Sequence, residues 1–222
     1  MTSTRTRIKI CGITRVEDLA AAAALGADAV GFVFYPPSKR CVTLDQARFL
    51  RNHVPAFVST VALFVDPSRE EVDAVLRAAR PSLLQFHGDE TPEICESFGV
   101  PYIKAFRVGA PGLDTPEGVA QTCARYPGAD GWLFDSYTQA YGGSGKSFDH
   151  ALLSDLRSLD TQTQRPCVVS GGLTPESVAD VVKALHPWAV DVSSGVEVSA
   201  GVKSIERMRD FVSAVTLADR TF

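Results

Sequence analysis

The sequence predicts an α/β protein built as one single-domain (β/α)8 TIM barrel over residues 1–222, on three observations. Eight short apolar runs alternate with eight helix-like segments along the whole chain, with no composition shift or low-complexity linker between them. The runs are nearly continuous in β-branched and apolar residues, as in Val58-Ser59-Thr60-Val61-Ala62-Leu63-Phe64, which suits parallel strands covered outside by helices. The repeat of about 25 residues matches a βα unit, and a ring of eight parallel strands leaves no edge. A doubly wound open sheet is the alternative. Against it, Cys11-Gly12-Ile13-Thr14 after the first strand lacks the G-x-G-x-x-G spacing.

The first strand is expected at Ile8–Cys11, followed by a helix over Val16–Leu25 for which Thr14 is a candidate cap. The second, Ala29–Phe34, leads through the turn Tyr35-Pro36-Pro37-Ser38-Lys39-Arg40 to a helix over Leu44–His53 with Thr43 as cap. The third, Val58–Phe64, precedes a helix over Glu70–Ala79, and Ser68 ahead of Glu70-Glu71 supplies its start signal. Leu83–Phe86 is paired with a helix over Glu93–Phe98, Tyr102–Phe106 with Gly118–Arg125, and Trp132–Asp135 with His150–Ser158. Cys167–Ser170 precedes a helix over Pro175–Leu185, where Thr174-Pro175-Glu176 reads as a cap with proline at the first helical position. Val190–Val192 and a helix over Ile205–Leu217 complete the pattern.

Composition narrows the function classes. With 45% hydrophobic and 22% charged residues, the chain resembles a soluble globular enzyme rather than a disordered one. A formal charge of −4 argues against nucleic-acid binding and gives no long-range attraction to an anionic substrate, so an anion site must be built locally. The five cysteines, Cys11, Cys41, Cys95, Cys123 and Cys167, have no C-x-x-C spacing and are odd in number, so reduced thiols are expected. No apolar run is long enough to span a bilayer, and Thr2 to Arg7 lead into a strand without a signal-peptide core; a cytoplasmic address with no membrane partner is the expectation.

In a barrel, chemistry collects just past the C-terminal ends of the strands. Cys11 ends the first strand; Lys9 shares its face, since side chains alternate, and a lysine turned into the barrel needs a carboxylate partner. After the fourth strand stands His87-Gly88-Asp89-Glu90, with Gln85 before it. Asp135 ends the sixth strand and opens a polar loop, Tyr137 to Ser147, whose glycines suit it to closing over a ligand and drying the carboxyl group. Gly142-Gly143-Ser144-Gly145-Lys146 lacks Walker spacing, so nucleotide hydrolysis is rejected. Two glycine turns, Ser170-Gly171-Gly172-Leu173 and Ser193-Ser194-Gly195, follow the seventh and eighth strands, where exposed backbone N–H groups can cradle a phosphate. Read singly, Cys11 is a buried small hydrophobe, Asp135 a loop carboxylate, Arg40 a solvated cation, Asp191 a loop-ordering group and His87 a structural histidine.

Together these motifs resemble those of the phosphoribosylanthranilate isomerase family over essentially the whole chain. The resemblance rests on Lys9-Ile10-Cys11-Gly12-Ile13-Thr14, Gly31-Phe32-Val33-Phe34 with Ser38-Lys39-Arg40, and Leu84-Gln85-Phe86-His87-Gly88. It continues through Asp135 with Gly142-Gly143-Ser144-Gly145-Lys146, Ser170-Gly171-Gly172-Leu173, and Asp191-Val192-Ser193-Ser194-Gly195-Val196-Glu197. It implies an Amadori rearrangement of N-(5-phosphoribosyl)anthranilate in tryptophan biosynthesis that requires no metal or organic cofactor. It implies Asp135 as general acid on the ring oxygen and Cys11 as general base at C2′. Phosphate binding falls to Gly171, Gly172, Leu173, Ser193, Ser194 and Gly195. Substrate contacts fall to Gln85, His87, Asp191 and Arg40, whose planar guanidinium suits the anthranilate carboxylate. The partner is then a small phosphosugar, with the chain a monomer or homodimer. Cys41, Ser144 and His150 depart from the family's usual residues without removing the acid or the base. A histidine-pathway isomerase would need two phosphate sites and two carboxylates, and a noncatalytic phosphate binder would not need Cys11 and Asp135.

Overall fold

The computed structural model describes residues 5–137, 147–159 and 164–221. The expected glycine-bearing stretch Gly142 to Lys146 and the segment Thr2 to Thr4 therefore lie outside the described residues. Eight strands, β1 (Arg7–Cys11), β2 (Ala29–Val33), β3 (Ser59–Phe64), β4 (Leu83–Phe86), β5 (Tyr102–Val108), β6 (Gly131–Ser136), β7 (Cys167–Val169) and β8 (Ala189–Val192), pair in chain order into a closed parallel barrel. The ring shuts where β8 lies against β1, with Lys9 opposite Asp191 in register. This is the (β/α)8 architecture that the alternation of apolar runs implies.

The helices are α1 (Val16–Ala24), α2 (Leu44–Arg51), α3 (Arg69–Ala79), α4 (Pro92–Glu96), α5 (Pro116–Ala124), α6 (Val178–Leu185) and α7 (Ile205–Asp219). Thr43 and Ser68 each form a full capping box, with Gln46 and Glu71 respectively, as their spacing foretells. Three expectations are corrected. Thr14 does not cap α1: its hydroxyl donates to the Gly201 carbonyl instead, and Arg15 occupies the cap position without a side-chain capping bond. Helix α6 begins at Val178 rather than Pro175, because Thr174 to Ser177 close a turn in which Ser177 Oγ accepts from the Thr174 amide. His150–Ser158 is a 3-10 helix, its first turn tied by Asp149 Oδ1 accepting from the Ala151 amide. A short antiparallel pair, β9 (Glu197–Ser199) with β10 (Val202–Lys203), follows the barrel and carries no signal in the hydrophobic pattern.

The two faces of each strand bury different things. Outward residues pack under the helices, and Phe34, Phe64, Phe86, Phe106 and Phe134 stand at the ends of successive strands. Phe34–Phe64, Phe64–Phe86 and Phe106–Phe134 stack at 5.5, 6.2 and 5.9 Å between ring centroids. Because side chains alternate, the residue after each outward phenylalanine is turned toward the barrel mouth. That rule aims Tyr35, His87 and Asp135, and the same step after Ile10 and Val190 aims Cys11 and Asp191. Inside the barrel, Ile103, Ala105, Leu133, Val168 and Ala189 fill the floor beneath. Among the described residues no helix is long and apolar enough to cross a membrane.

Candidate active site

One cavity opens at the C-terminal end of the barrel, and Cys11, Asp135, His87, Arg40 and Asp191 all line it together with the two glycine turns. Cys11 on β1 and Asp135 on β6 are separated in the ring by β7 and β8, the strands whose following turns carry Gly171-Gly172 and Ser193-Ser194-Gly195. A ligand gripped at those turns thus has the thiol on one side and the carboxyl on the other.

Cys11 is 4% exposed and packs with Val33 and Leu63. Its room comes from Gly31, its register partner on β2: a Cβ there would stand 2.8 Å from Cys11 Sγ and 3.3 Å from Lys9 Cε. Burial pushes the Cys11 thiol up from its ordinary value, while the charges of Lys9 and Lys203 oppose that and Asp191 adds to it. Lys9 Nζ donates to Asp191 Oδ1 at 2.8 Å, with both side chains 6% exposed. Burial disfavours the ammonium, but Asp191 and Cys11 outweigh it and hold Lys9 above its ordinary value. Ser170 Oγ donates to the other oxygen of Asp191 at 3.4 Å. The lysine's need for a carboxylate is met by a residue 182 positions away.

Asp135 is held from two sides. Its Oδ1 accepts from the Ser136 amide at 2.8 Å, and its Oδ2 lies 3.1 Å from His87 Nε2, within ion-pair range but out of line for a hydrogen bond. Gln85 Nε2 lies 3.1 Å from His87 Nδ1, and the tautomer in which Nδ1 accepts this bond carries the ring proton on Nε2, on the side of Asp135. Gln85 itself is fully buried behind the histidine and does not line the cavity, so it bears on a ligand only through His87. Behind this loop, Lys104 Nζ donates to the Gly88 carbonyl and to Glu90 Oε2 at 2.6 and 2.9 Å, while Glu90 accepts from the Gly88 amide. This buried pair fixes the turn that carries His87.

The glycine turns meet their geometric demands. Gly171 and Gly172 have φ of 84° and 63°, the left-handed region that suits glycine. A Cβ on Gly171 would stand 2.9 Å from Asp135 Oδ1 and 2.6 Å from the Ser136 amide nitrogen, and one on Gly195 would strike the Leu173 carbonyl. The turns after β7 and β8 are thus packed against each other as one concave surface, with Ser193 and Ser194 on its rim.

Arg40 lines the cavity, yet its fork is already engaged: Nε and Nη2 donate to the two oxygens of Glu197 at 2.8 and 2.6 Å. Glu197 also accepts from Lys203 Nζ at 2.8 Å, and the two cations hold its carboxyl below the usual range against the effect of burial. Sequence reasoning quoted Glu197 only as part of a motif and passed over Lys203. Both sit in the β9–β10 pair, and nothing in local periodicity shows that this pair folds back onto the site. Among the described residues no group of three or more His, Cys, Asp or Glu side chains is placed to hold a metal ion.

Comparison with known proteins identifies relatives over nearly the whole chain. Residues 8–214 match the family described as N-(5'phosphoribosyl)anthranilate (PRA) isomerase. The chain is 55% identical over 216 residues to the N-(5'-phosphoribosyl)anthranilate isomerase of Bordetella parapertussis, covering 97% of this chain and 98% of that protein. It superposes on the crystal structure of phosphoribosyl anthranilate isomerase from Thermus thermophilus with a TM-score of 0.83 at 39% identity, covering 96% of this chain and 99% of the other. A phosphoribosyl anthranilate isomerase in complex with reduced 1-(o-carboxyphenylamino)-1-deoxyribulose 5-phosphate aligns at a TM-score of 0.81 and 34% identity, covering 95% and 98% of the two chains.

Proposed function

The chain belongs to the N-(5'-phosphoribosyl)anthranilate isomerase family, and from that premise we propose that Cys11 and Asp135 are the base and acid of its Amadori rearrangement. It is an isomerase of tryptophan biosynthesis. The observation that carries the assignment of residues is that Cys11 and Asp135 line one cavity on either side of the glycine turns after β7 and β8.

In this reading the substrate's phosphate is held by the backbone N–H groups around Gly172 and Ser193 to Gly195, with Gly171 and Leu173 shaping the cradle. Asp135, entering the step as the carboxylic acid, gives its proton to the furanose oxygen as the C1′–O bond breaks, and the nitrogen lone pair forms the iminium. Cys11, acting as the thiolate, takes the C2′ proton and becomes the thiol, the C–H electrons become the C1′–C2′ double bond, and the iminium is neutralised to the enolamine. Tautomerisation yields the ketone. His87 holds Asp135 in place, with Gln85 fixing the ring, and Asp191 faces the sugar hydroxyls while neutralising Lys9. The iminium is also what a buried thiol needs, because positive charge beside the sulfur favours the thiolate that burial disfavours. Arg40, steered by Glu197, faces the anthranilate end; its engaged fork leaves its cavity-facing edge for the carboxylate rather than a free paired contact.

The test follows loss of anthranilate fluorescence on conversion by wild type, Cys11→Ala and Asp135→Asn, with the fold of each checked by circular dichroism. General acid–base groups contribute about 10²–10⁴-fold, so each variant should lose at least that much in kcat. A variant that turns over like wild type removes its residue from the assigned role.

A further inference from the structure

We infer that Lys203 is a positioning residue that ties the two ends of the bound substrate together, holding the phosphate turn through Ser193 and the Arg40 guanidinium through Glu197. The inference rests on the reading above of Ser193 and Arg40 as contacts to the substrate's phosphate and aromatic ends.

Lys203 ends β10, and its side chain is 0% exposed. Its main chain is anchored by the Asp18 carboxylate accepting from the Lys203 amide at 3.1 Å, which fixes the strand against α1. The ammonium spends its three donors on Ser193 O at 3.1 Å, Ser193 Oγ at 3.4 Å and Glu197 Oε1 at 2.8 Å. Glu197 in turn takes both arms of Arg40, and its Oε1 also accepts from the Gly201 amide at 3.3 Å. One carboxylate therefore serves two cations, the buried Lys203 and the half-buried Arg40, and the trio carries one formal surplus positive charge beside the cavity.

That arrangement is more than a structural ion pair. A pair needed only to close the β9–β10 turn would be complete with Lys203 and Glu197. Here the lysine also grips both the carbonyl and the hydroxyl of Ser193, the first residue of the phosphate turn, and its partner Glu197 holds both arms of the Arg40 fork. Turning the Ser193 carbonyl toward Nζ leaves the opposite side of that turn, with its N–H groups, for an anion. The surplus charge favours the same anion in a molecule whose net charge of −4 does not. Both ends of the cavity are thus set by one side chain that itself does not reach the cavity wall.

The experiment measures steady-state kinetics on N-(5-phosphoribosyl)anthranilate, and competitive inhibition by inorganic phosphate, for wild type, Lys203→Met and Lys203→Arg, with urea denaturation of each. Lys203→Met should raise KM and the phosphate inhibition constant about tenfold each while kcat stays within about threefold, and Lys203→Arg should recover part of both. A folded Lys203→Met protein with wild-type KM and phosphate inhibition overturns the inference, whatever its stability. Should Lys203→Met fail to fold, Glu197→Gln takes its place: KM should rise while phosphate inhibition holds, because Ser193 keeps its lysine, and an unchanged KM overturns the link to Arg40. If wild type itself is not inhibited by phosphate, the phosphate-cradle reading falls first. Inhibition present in wild type and unmoved in Lys203→Met defeats only the positioning role.

Discussion

Lys9 Nζ and Asp191 Oδ1 lie 2.8 Å apart across the seam where β8 meets β1, joining the two ends of the ring inside the barrel. The contact is possible because register sets the two residues side by side and alternation turns both inward. A buried pair is weak evidence for net stability, but removing one partner strands the other charge. Asp191→Ala should therefore destabilise the protein by about 3–5 kcal/mol in urea denaturation, and the double variant with Lys9→Met should recover most of it.

The same pair sets a pH response. Lys9 has a folded value raised above its ordinary 10.5, so its contribution is fully present below about pH 10.5 and is lost as pH climbs toward the raised value. Cys11 is also raised, from an ordinary 9.0, so above about pH 9 the unfolded chain releases the thiol proton first and stability falls. Denaturation midpoints should be flat through neutral pH and decline above about pH 9, and Cys11→Ala should delay that decline. A decline of the same size and position in Cys11→Ala would assign it to other groups.

Gly171 should tolerate no side chain. With φ of 84° and Asp135 Oδ1 2.9 Å from a built Cβ, Gly171→Ala strains the backbone and pushes the carboxyl aside. A stability loss of about 1–3 kcal/mol and a fall in kcat of at least about tenfold are expected, and wild-type kinetics would show that the carboxyl is not held as described.

His87 and Gln85 should act in series. His87→Ala removes the group beside Asp135 Oδ2 and should lower kcat about tenfold or more, whereas Gln85→Leu frees only the ring and should cost less. The double variant should be no worse than His87→Ala; additive losses would show that Gln85 acts by another route.

Sequence made the barrel and most of the site legible for one physical reason: a strand's period of two fixes which residue faces the mouth, and the strand end fixes its height. Cys11, His87, Asp135 and Asp191 each follow an outward apolar residue, so their placement needs only local pattern. The glycines at 171 and 172 were legible because a left-handed turn has few other solutions. What stayed hidden depends on distant partners. The Arg40 fork is taken by a carboxylate 157 positions away, and Lys203 serves the site from a two-residue strand that no periodicity marks. Thr14 and Thr174 carry the chemistry of caps, but Gly201 and Ser177 offered their polar groups other partners.

The most direct measurement of the central arrangement is a crystal structure of this protein with reduced 1-(o-carboxyphenylamino)-1-deoxyribulose 5-phosphate bound. The phosphate should sit within about 3 Å of backbone N–H groups of Gly172 and of the Ser193 to Gly195 turn, with Cys11 Sγ toward C2′ and Asp135 on the other side of the sugar chain. A phosphate held elsewhere, or a sugar chain touched by only one of Cys11 and Asp135, would contradict it.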